Sequence, residues 1–199
     1  MSRLTLTFLA APLLLLQGCA TVPAPQAAPA VHQGLVSAAD PRAAEAGAEM
    51  LRQGGSAVDA AIATMLALNV VEPQSSGIGG GGFMLRGDAQ GHVTNFDGRE
   101  TAPSGADPQW FLDATGKPLP FMTAVISGRS VGVPGNLRLA EEAHERFGKL
   151  PWATLFEPAI KLARDGWVLS ERGREFLVRA KNRAGHQPEG LALFYGADG

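Results

Sequence analysis

Residues 54–87 read GGSAVDAAIATMLALNVVEPQSSGIGGGGFMLRG, and the order of elements within this stretch decides the fold. Ser56 stands three residues before Asp59, the spacing of a capping box at a helix N-terminus. Residues 57–71 are apolar on nearly every side, so the helix they predict is buried rather than amphipathic. Glu72-Pro73 ends it, because proline cannot continue a helix and restricts the residue before it. Six residues, 77–82, then include five glycines, and Phe83-Met84-Leu85 reads as a strand. Gly87 to Gly91 supplies a turn and residues 92–97 return, the pattern of a β-hairpin. The run from Gly77 formally contains GxGxxG. A dinucleotide site needs a strand before the glycines and a helix after them, so that pyrophosphate meets a helix N-terminus. Here a helix precedes and a strand follows, and no Lys-Ser or Lys-Thr closes the run as in a Walker loop. The glycines instead predict close backbone approach where a helix meets a sheet, in a turn that also shapes the floor of a substrate site.

Upstream, residues 34–39 (GLVSAA) predict a short strand. Asp40-Pro41 predicts a helix start, with Asp as cap and Pro in the first turn. That helix spans 42–53 and stops at Gly54-Gly55. Downstream of the hairpin a proline-rich loop carries Pro103, Pro108, Pro118 and Pro120, interrupted by a short apolar piece at 110–112. Helices are predicted over 134–147 and over 152–164 with Gly166 as stop. Ser170 caps a further helix reaching about 183, and residues 184–199 show no clear pattern. No internal repeat and no second domain are visible.

The 199 residues carry a formal charge of −2 and are 45% hydrophobic and 18% charged. This is the balance of a globular chain large enough to bury a core, and it favours no nucleic-acid partner. With 7% aromatic residues, the core must rest on Ala, Leu and Val. The first eighteen residues read as an export signal, with Arg3 as a positive n-region and an apolar run over 4–16 too short to span a membrane. The run ends at Leu16-Gln17-Gly18-Cys19, which resembles a bacterial lipobox although Gln17 is not the usual small residue. Cleavage before Cys19 and acylation would anchor the chain, since each buried methylene contributes about 0.8 kcal/mol. An ordinary signal peptide with a cysteine near its cleavage site is the alternative. Residues 19–33, rich in Pro and Ala, then form a tether. Ala20 fits outer-membrane sorting, so a periplasmic, lipid-anchored protein is expected. With its single Cys at that position, the domain over 34–199 holds no disulfide or catalytic thiol.

Several short motifs occur in a telling order. Gly54-Gly55-Ser56-Ala57-Val58-Asp59-Ala60-Ala61, Val71-Glu72-Pro73 and Ser76 to Phe83 are followed by Asp97-Gly98-Arg99-Glu100-Thr101-Ala102-Pro103. Then come Val133-Pro134-Gly135, Leu150-Pro151-Trp152, Pro158-Ala159-Ile160, Leu162-Ala163 and Gly166-Trp167-Val168. In sequence and spacing this resembles the start of the large subunit of the γ-glutamyltranspeptidases. The resemblance covers about two thirds of the chain. It implies an α+β fold, the αββα sandwich of the N-terminal-nucleophile hydrolases, of which this chain would be the N-terminal portion. It also implies a precursor that cuts itself into two subunits. The new N-terminal Thr of the small subunit attacks a γ-glutamyl amide such as glutathione, with its own amine as base. The γ-glutamyl group then passes to water, an amino acid or a peptide, with no cofactor or metal.

By the same resemblance Arg99 grips the α-carboxylate of the γ-glutamyl group. A planar guanidinium holds a carboxylate by two parallel charge-assisted bonds, which Lys cannot do. A structural ion pair of Arg99 with Glu100 or Asp97 is the alternative. The family's Thr-Thr-His nucleophile context is absent from these 199 residues, and His32, His92, His144 and His186 are scattered without a Ser or Cys partner. The chain by itself is therefore expected to be inactive, and its ending at 194–199 reads as that of a fragment whose small-subunit partner lies elsewhere. A free-standing remnant that binds γ-glutamyl compounds or a partner chain, and a related acylase, are the other two readings.

Overall fold

A computed structural model describes residues 34–196. The predicted export signal, Cys19, the tether with His32, and residues 197–199 lie outside the described residues. The architecture is α+β. Helix α1 (Pro41–Arg52) starts as the sequence predicts: the Asp40 side chain accepts from the Arg42 backbone N–H at 2.9 Å and Pro41 sits in the first turn. Its buried residues Ala43, Ala46, Gly47 and Met50 fall at the 3.6-residue period and lie against α2 (Ala57–Val71).

Helix α2 is the centre of the molecule. Its capping box is complete, with the Ser56 hydroxyl accepting from Asp59 N and the Asp59 carboxylate accepting from Ser56 N. Nine of its residues are buried, including Ile62, Ala63, Leu66 and Ala67, as an all-round apolar helix requires. Asp59 is itself fully buried, and the same Oδ2 also accepts from Lys149 N at 2.9 Å and Leu150 N at 3.3 Å. One carboxylate thus caps α2 and pins a loop ninety residues further on.

Strands β1 (Gly82–Gly87) and β2 (Val93–Gly98) form the predicted antiparallel hairpin, in register from Gly82 opposite Gly98 to Gly87 opposite Val93. Alternation puts Met84 and Phe96 on the inner face, where Phe96 meets Phe147 edge-to-face at 6.2 Å. The outer face leaves Phe83, Leu85 and Val93 exposed. After the proline-rich loop and a short helix α3 (Phe121–Val125), α4 (Asn136–Phe147) packs under the hairpin through Leu139, Ala140 and Ala143. Helix α5 (Glu157–Asp165) packs on α2, and α6 (Glu171–Ala184) and α7 (Pro188–Phe194) complete the chain.

Three expectations need correction. Residues 34–39 form no strand: among the described residues no neighbour offers them a ladder, and a strand exists only when paired. The helix expected over 152–164 opens as a 3-10 turn, Trp152–Phe156, and becomes α-helical only at Glu157. Pro158 explains the switch, since it has no N–H to return to the carbonyl four residues back. The apolar piece at 110–112 ends in an isolated bridge of Leu112 with Pro118, and the Asp113 carboxylate after it accepts from Thr115 and from Lys117 N. Helix α7, over residues expected to lack pattern, begins at Pro188 with Glu189 in its first turn, a start signal carried by a single turn of sequence.

Buried charge closes the far side. Asp40 is 2% exposed and pairs with Arg42, whose guanidinium also donates to the Val168 carbonyl at 2.6 Å and lies over the Trp167 ring. Glu72, at the end of α2 and equally buried, accepts from Arg172 at 2.8 Å and from Gln74 at 2.6 Å. Ser170 caps α6 as predicted, accepting from Gly173 N, and its hydroxyl lies 3.4 Å from Glu72 Oε1.

Candidate active site

The glycine turn lies between the end of α2 and the start of β1. No helix follows it, so its amides are not arrayed at a helix N-terminus for a phosphate, and the nucleotide reading fails on geometry as it did on sequence. The turn is held from below. Gly135 N and Asn136 N both donate to the Gly80 carbonyl, at 3.0 and 3.1 Å, and Asn136 Nδ2 donates to the Gly77 carbonyl at 2.8 Å. The start of α4 thereby fixes the turn across 59 residues of chain.

Close approach, rather than unusual torsion, explains two of the glycines. A Cβ on Gly98 would stand 2.6 Å from the Leu139 Cβ, and one on Gly81 would meet the Gly98 carbonyl oxygen first and stand 2.6 Å from Glu100 Oε2. Both spaces are filled by neighbours. The result is a polar cleft of about 280 Å³ bounded by Ser75, Ser76, Gly77, Gly81, Glu100 and Asn136.

Arg99 follows β2 directly and stands next in the chain to Glu100, which bounds this cleft. Its backbone N–H donates to Asp97 Oδ1 at 2.9 Å, which sets the turn off the strand. Two residues later Thr101 and Val133 exchange backbone bonds, tying the loop to the approach to α4. The guanidinium is 69% exposed and sits 3.2 Å from Glu100 Oε2. The ion pair weighed from sequence therefore exists with Glu100. It engages Nη1 and leaves the rest of the fork in solvent, able to take a second carboxylate. Glu100 Oε2 is buried and receives no hydrogen bond of good geometry, and among the described residues Arg99 is the cation paired with it.

The histidines come together nowhere among the described residues. His92 bonds Asp88 at the hairpin turn, and His144 Nε2 lies 2.8 Å from the Leu150 carbonyl, beside Trp152. Nor do three His, Cys, Asp or Glu side chains among these residues group as metal ligands would. Sequence reading named Arg99 as a candidate and Glu100 only as its ion-pair partner, and it did not name Asn136, which bonds the glycine turn. Glu100 carried a signal, being adjacent to Arg99, whereas Asn136 carried none.

Residues 43–199 match the family model described as gamma-glutamyltranspeptidase. The chain belongs to the γ-glutamyltranspeptidase family. It is 50% identical over 137 residues to the glutathione hydrolase proenzyme of Bacillus subtilis (strain 168), an overlap of 68% of this chain and 23% of that protein. Among solved structures, the γ-glutamyltranspeptidase of Helicobacter pylori superposes with a TM-score of 0.77 at 36% identity, over 83% of this chain and 47% of that one. The γ-glutamyltranspeptidase of Pseudomonas nitroreducens, solved in complex with L-DON, gives 0.75 at 35% identity, over 82% and 49%. The chain thus spans about a quarter of the curated relative and about half of each solved chain. The mixed helix and hairpin arrangement is part of the N-terminal-nucleophile hydrolase sandwich that these structures share.

Proposed function

We propose that this chain forms the substrate-gripping part of a γ-glutamyltransferase that also hydrolyses glutathione. It acts together with a polypeptide segment that carries the nucleophilic Thr. The observation that carries this reading is Arg99, an exposed guanidinium against Glu100, which bounds a polar cleft, in the order Asp-Gly-Arg-Glu-x-Ala-Pro. The cleft and the fork match a small anion with polar substituents, such as the α-amino acid end of a γ-glutamyl group. The Thr segment attacks the γ-amide carbon and the amine leaves. The acyl group then passes to water, an amino acid or a peptide, a sequence that calls for no cofactor. In this reading the second subunit arises by self-cleavage, and Cys19 anchors the enzyme to the outer membrane from the periplasmic side.

The gene product is isolated from its own cells with antibody against residues 34–199 and assayed on γ-glutamyl-p-nitroanilide. Two polypeptides, the smaller beginning at Thr, with release of nitroaniline, is the expected result. One polypeptide near 20.7 kDa without hydrolysis overturns the enzymatic reading. Incorporation of labelled palmitate, lost in Cys19→Ser, checks the anchor.

A further inference from the structure

A second cavity, also of about 280 Å³, lies against the Arg99 loop, with Ala102 and Pro103 in one wall and Gly132 in another. Trp110, Phe111 and Arg129 close it. Its place beside the loop is fixed twice over. Thr101 and Val133 exchange backbone bonds at 3.4 and 2.9 Å, and a Cβ on Gly132 would stand 2.8 Å from the Glu100 Cβ. Ala102 comes three residues after Arg99, and three residues of chain span at most about 11 Å. A γ-glutamyl amino acid gripped at Arg99 by its α-carboxylate is of comparable length, so its amine-side end reaches this cavity.

The walls have a definite chemistry. Arg129 Nη1 donates to the Trp110 and Leu112 carbonyls at 2.9 and 3.2 Å, and Trp110 Nε1 donates back to the Arg129 carbonyl at 2.9 Å. This clasp holds the guanidinium through one of its three nitrogens. Among the described residues no carboxylate pairs with it, which leaves donors able to hold a carboxylate. Phe111 is 43% exposed and Trp110 half-buried, an apolar surface for a side chain. Asp107, the other charged residue of the wall, turns Oδ1 to Gln109 N and disfavours a second negative charge in the ligand. The volume suits one amino acid, being below the range of about 300–1,000 Å³ that drug-sized ligands occupy.

We infer that this cavity is a subsite for the amine side of the scissile amide, taking an amino acid with an apolar side chain and a free carboxylate. The carboxylate meets Arg129, and the side chain meets Phe111 and Trp110. This rests on the reading of Arg99 as the γ-glutamyl anchor. The subsite serves the amine in both directions. When the amine leaves, its bond to the γ-carbon breaks, the Thr oxygen forms the ester, and the hydroxyl proton moves to the departing nitrogen. When an amine arrives, it forms the new C–N bond, the ester C–O bond breaks, and its proton passes to the Thr oxygen. Arg129 touches none of these atoms and binds the far end of the amine.

The test uses the processed enzyme as wild type, Arg129→Gln and Ala106→Leu. The donors are γ-glutamyl-L-phenylalanine and its C-terminal amide, which lacks only the free carboxylate. Arg129→Gln keeps a donor for one of the two carbonyls and removes the charge. It is expected to raise KM for the acid about tenfold, the scale of a lost charge-assisted bond, and KM for the amide less than twofold. Ala106→Leu leaves the clasp intact and narrows the cavity, whose wall includes Ala106. It should raise KM several-fold for γ-glutamyl-L-phenylalanine and not for γ-glutamylglycine. Phenylalanine and phenylalaninamide, as acceptors from γ-glutamyl-p-nitroanilide, repeat the comparison for the arriving amine, and a difference between acid and amide in either direction supports the subsite. Equal changes for acid and amide in both directions mean that Arg129 only holds its loop, and overturn the inference. If Arg129→Gln melts several degrees lower, Ala106→Leu decides, and equal KM changes for the phenylalanine and glycine donors overturn it. Arg99→Lys separates the two readings. A KM unchanged by it for every γ-glutamyl donor removes the anchor, and the inference falls too; a raised KM with flat comparisons at Arg129 and Ala106 removes the subsite alone.

Discussion

Arg99, the substrate anchor of the proposed reading, shows how little of a side chain's placement its own position explains. The loop off β2 places it, the Asp97 carboxylate bends the backbone under it, and Glu100 engages one nitrogen. Lysine at this position would keep the charge and lose the fork. Arg99→Lys in the processed enzyme should therefore raise KM for γ-glutamyl donors by about tenfold to a hundredfold, the scale of one or two charge-assisted bonds. Steady-state kinetics over a wide donor range would show it, and an unchanged KM would remove Arg99 from the site. Arg99 was legible in the sequence because its motif is seven consecutive residues. Its surroundings were not, since Gly77, Gly81 and Asn136 reach the site through backbone carbonyls and a missing Cβ, across tens of residues, and no local spacing encodes that.

At the scale of elements, helix starts capped by a side chain were legible and the pairing of a strand was not. Asp40, Ser56 and Ser170 each cap the helix that the sequence assigned to them, because a cap is a bond between a side chain and amides two or three residues away. A strand at 34–39 depends on a neighbour that sequence alone does not place. Within 152–164, periodicity stayed helical throughout while Pro158 changed the hydrogen bonding, a change that the apolar pattern does not record. Ser56→Ala should cost about 1 kcal/mol, or a melting point lower by roughly 2–4 °C in a domain of this size. Asp59→Asn should cost more, since its Oδ2 serves Ser56 N and also two amides near position 150. Thermal melts of the two variants side by side decide it, and equal losses would deny the long-range role of Asp59.

Across the whole molecule, the Asp40–Arg42 ion pair at the start of α1 is tied to the segment before α6 by the Arg42 hydrogen bond to the Val168 carbonyl. The Arg42 guanidinium, through its hydrogen bonds to Asp40, holds that carboxyl below its ordinary value near 3.8, against the opposing effect of burial. A carboxyl whose pKa is lower folded than unfolded stabilises the fold above its unfolded value, and that stabilisation is lost as pH falls through the folded one. Asp40→Asn keeps a side chain able to cap and removes the charge. It should cost about 1–2 kcal/mol at pH 7, and the gap to wild type should close below about pH 4. Denaturant titrations from pH 7 down to pH 3 would trace it. A gap that stays constant over that range would mean that the ion pair contributes nothing.

Glu72 has one more consequence, and it concerns time. The α1–α2 pair and the β1–β2 hairpin are built from contacts between neighbours in the chain, which assemble quickly. The Glu72–Arg172 bond instead closes a loop of 100 residues, and such closures come late because their entropy is lost before anything is gained. Arg172 should therefore contribute almost nothing at the folding barrier. Arg172→Ala would leave the refolding rate nearly unchanged and speed unfolding, so the bond between α2 and α6 governs how long the native state lasts rather than how fast it forms.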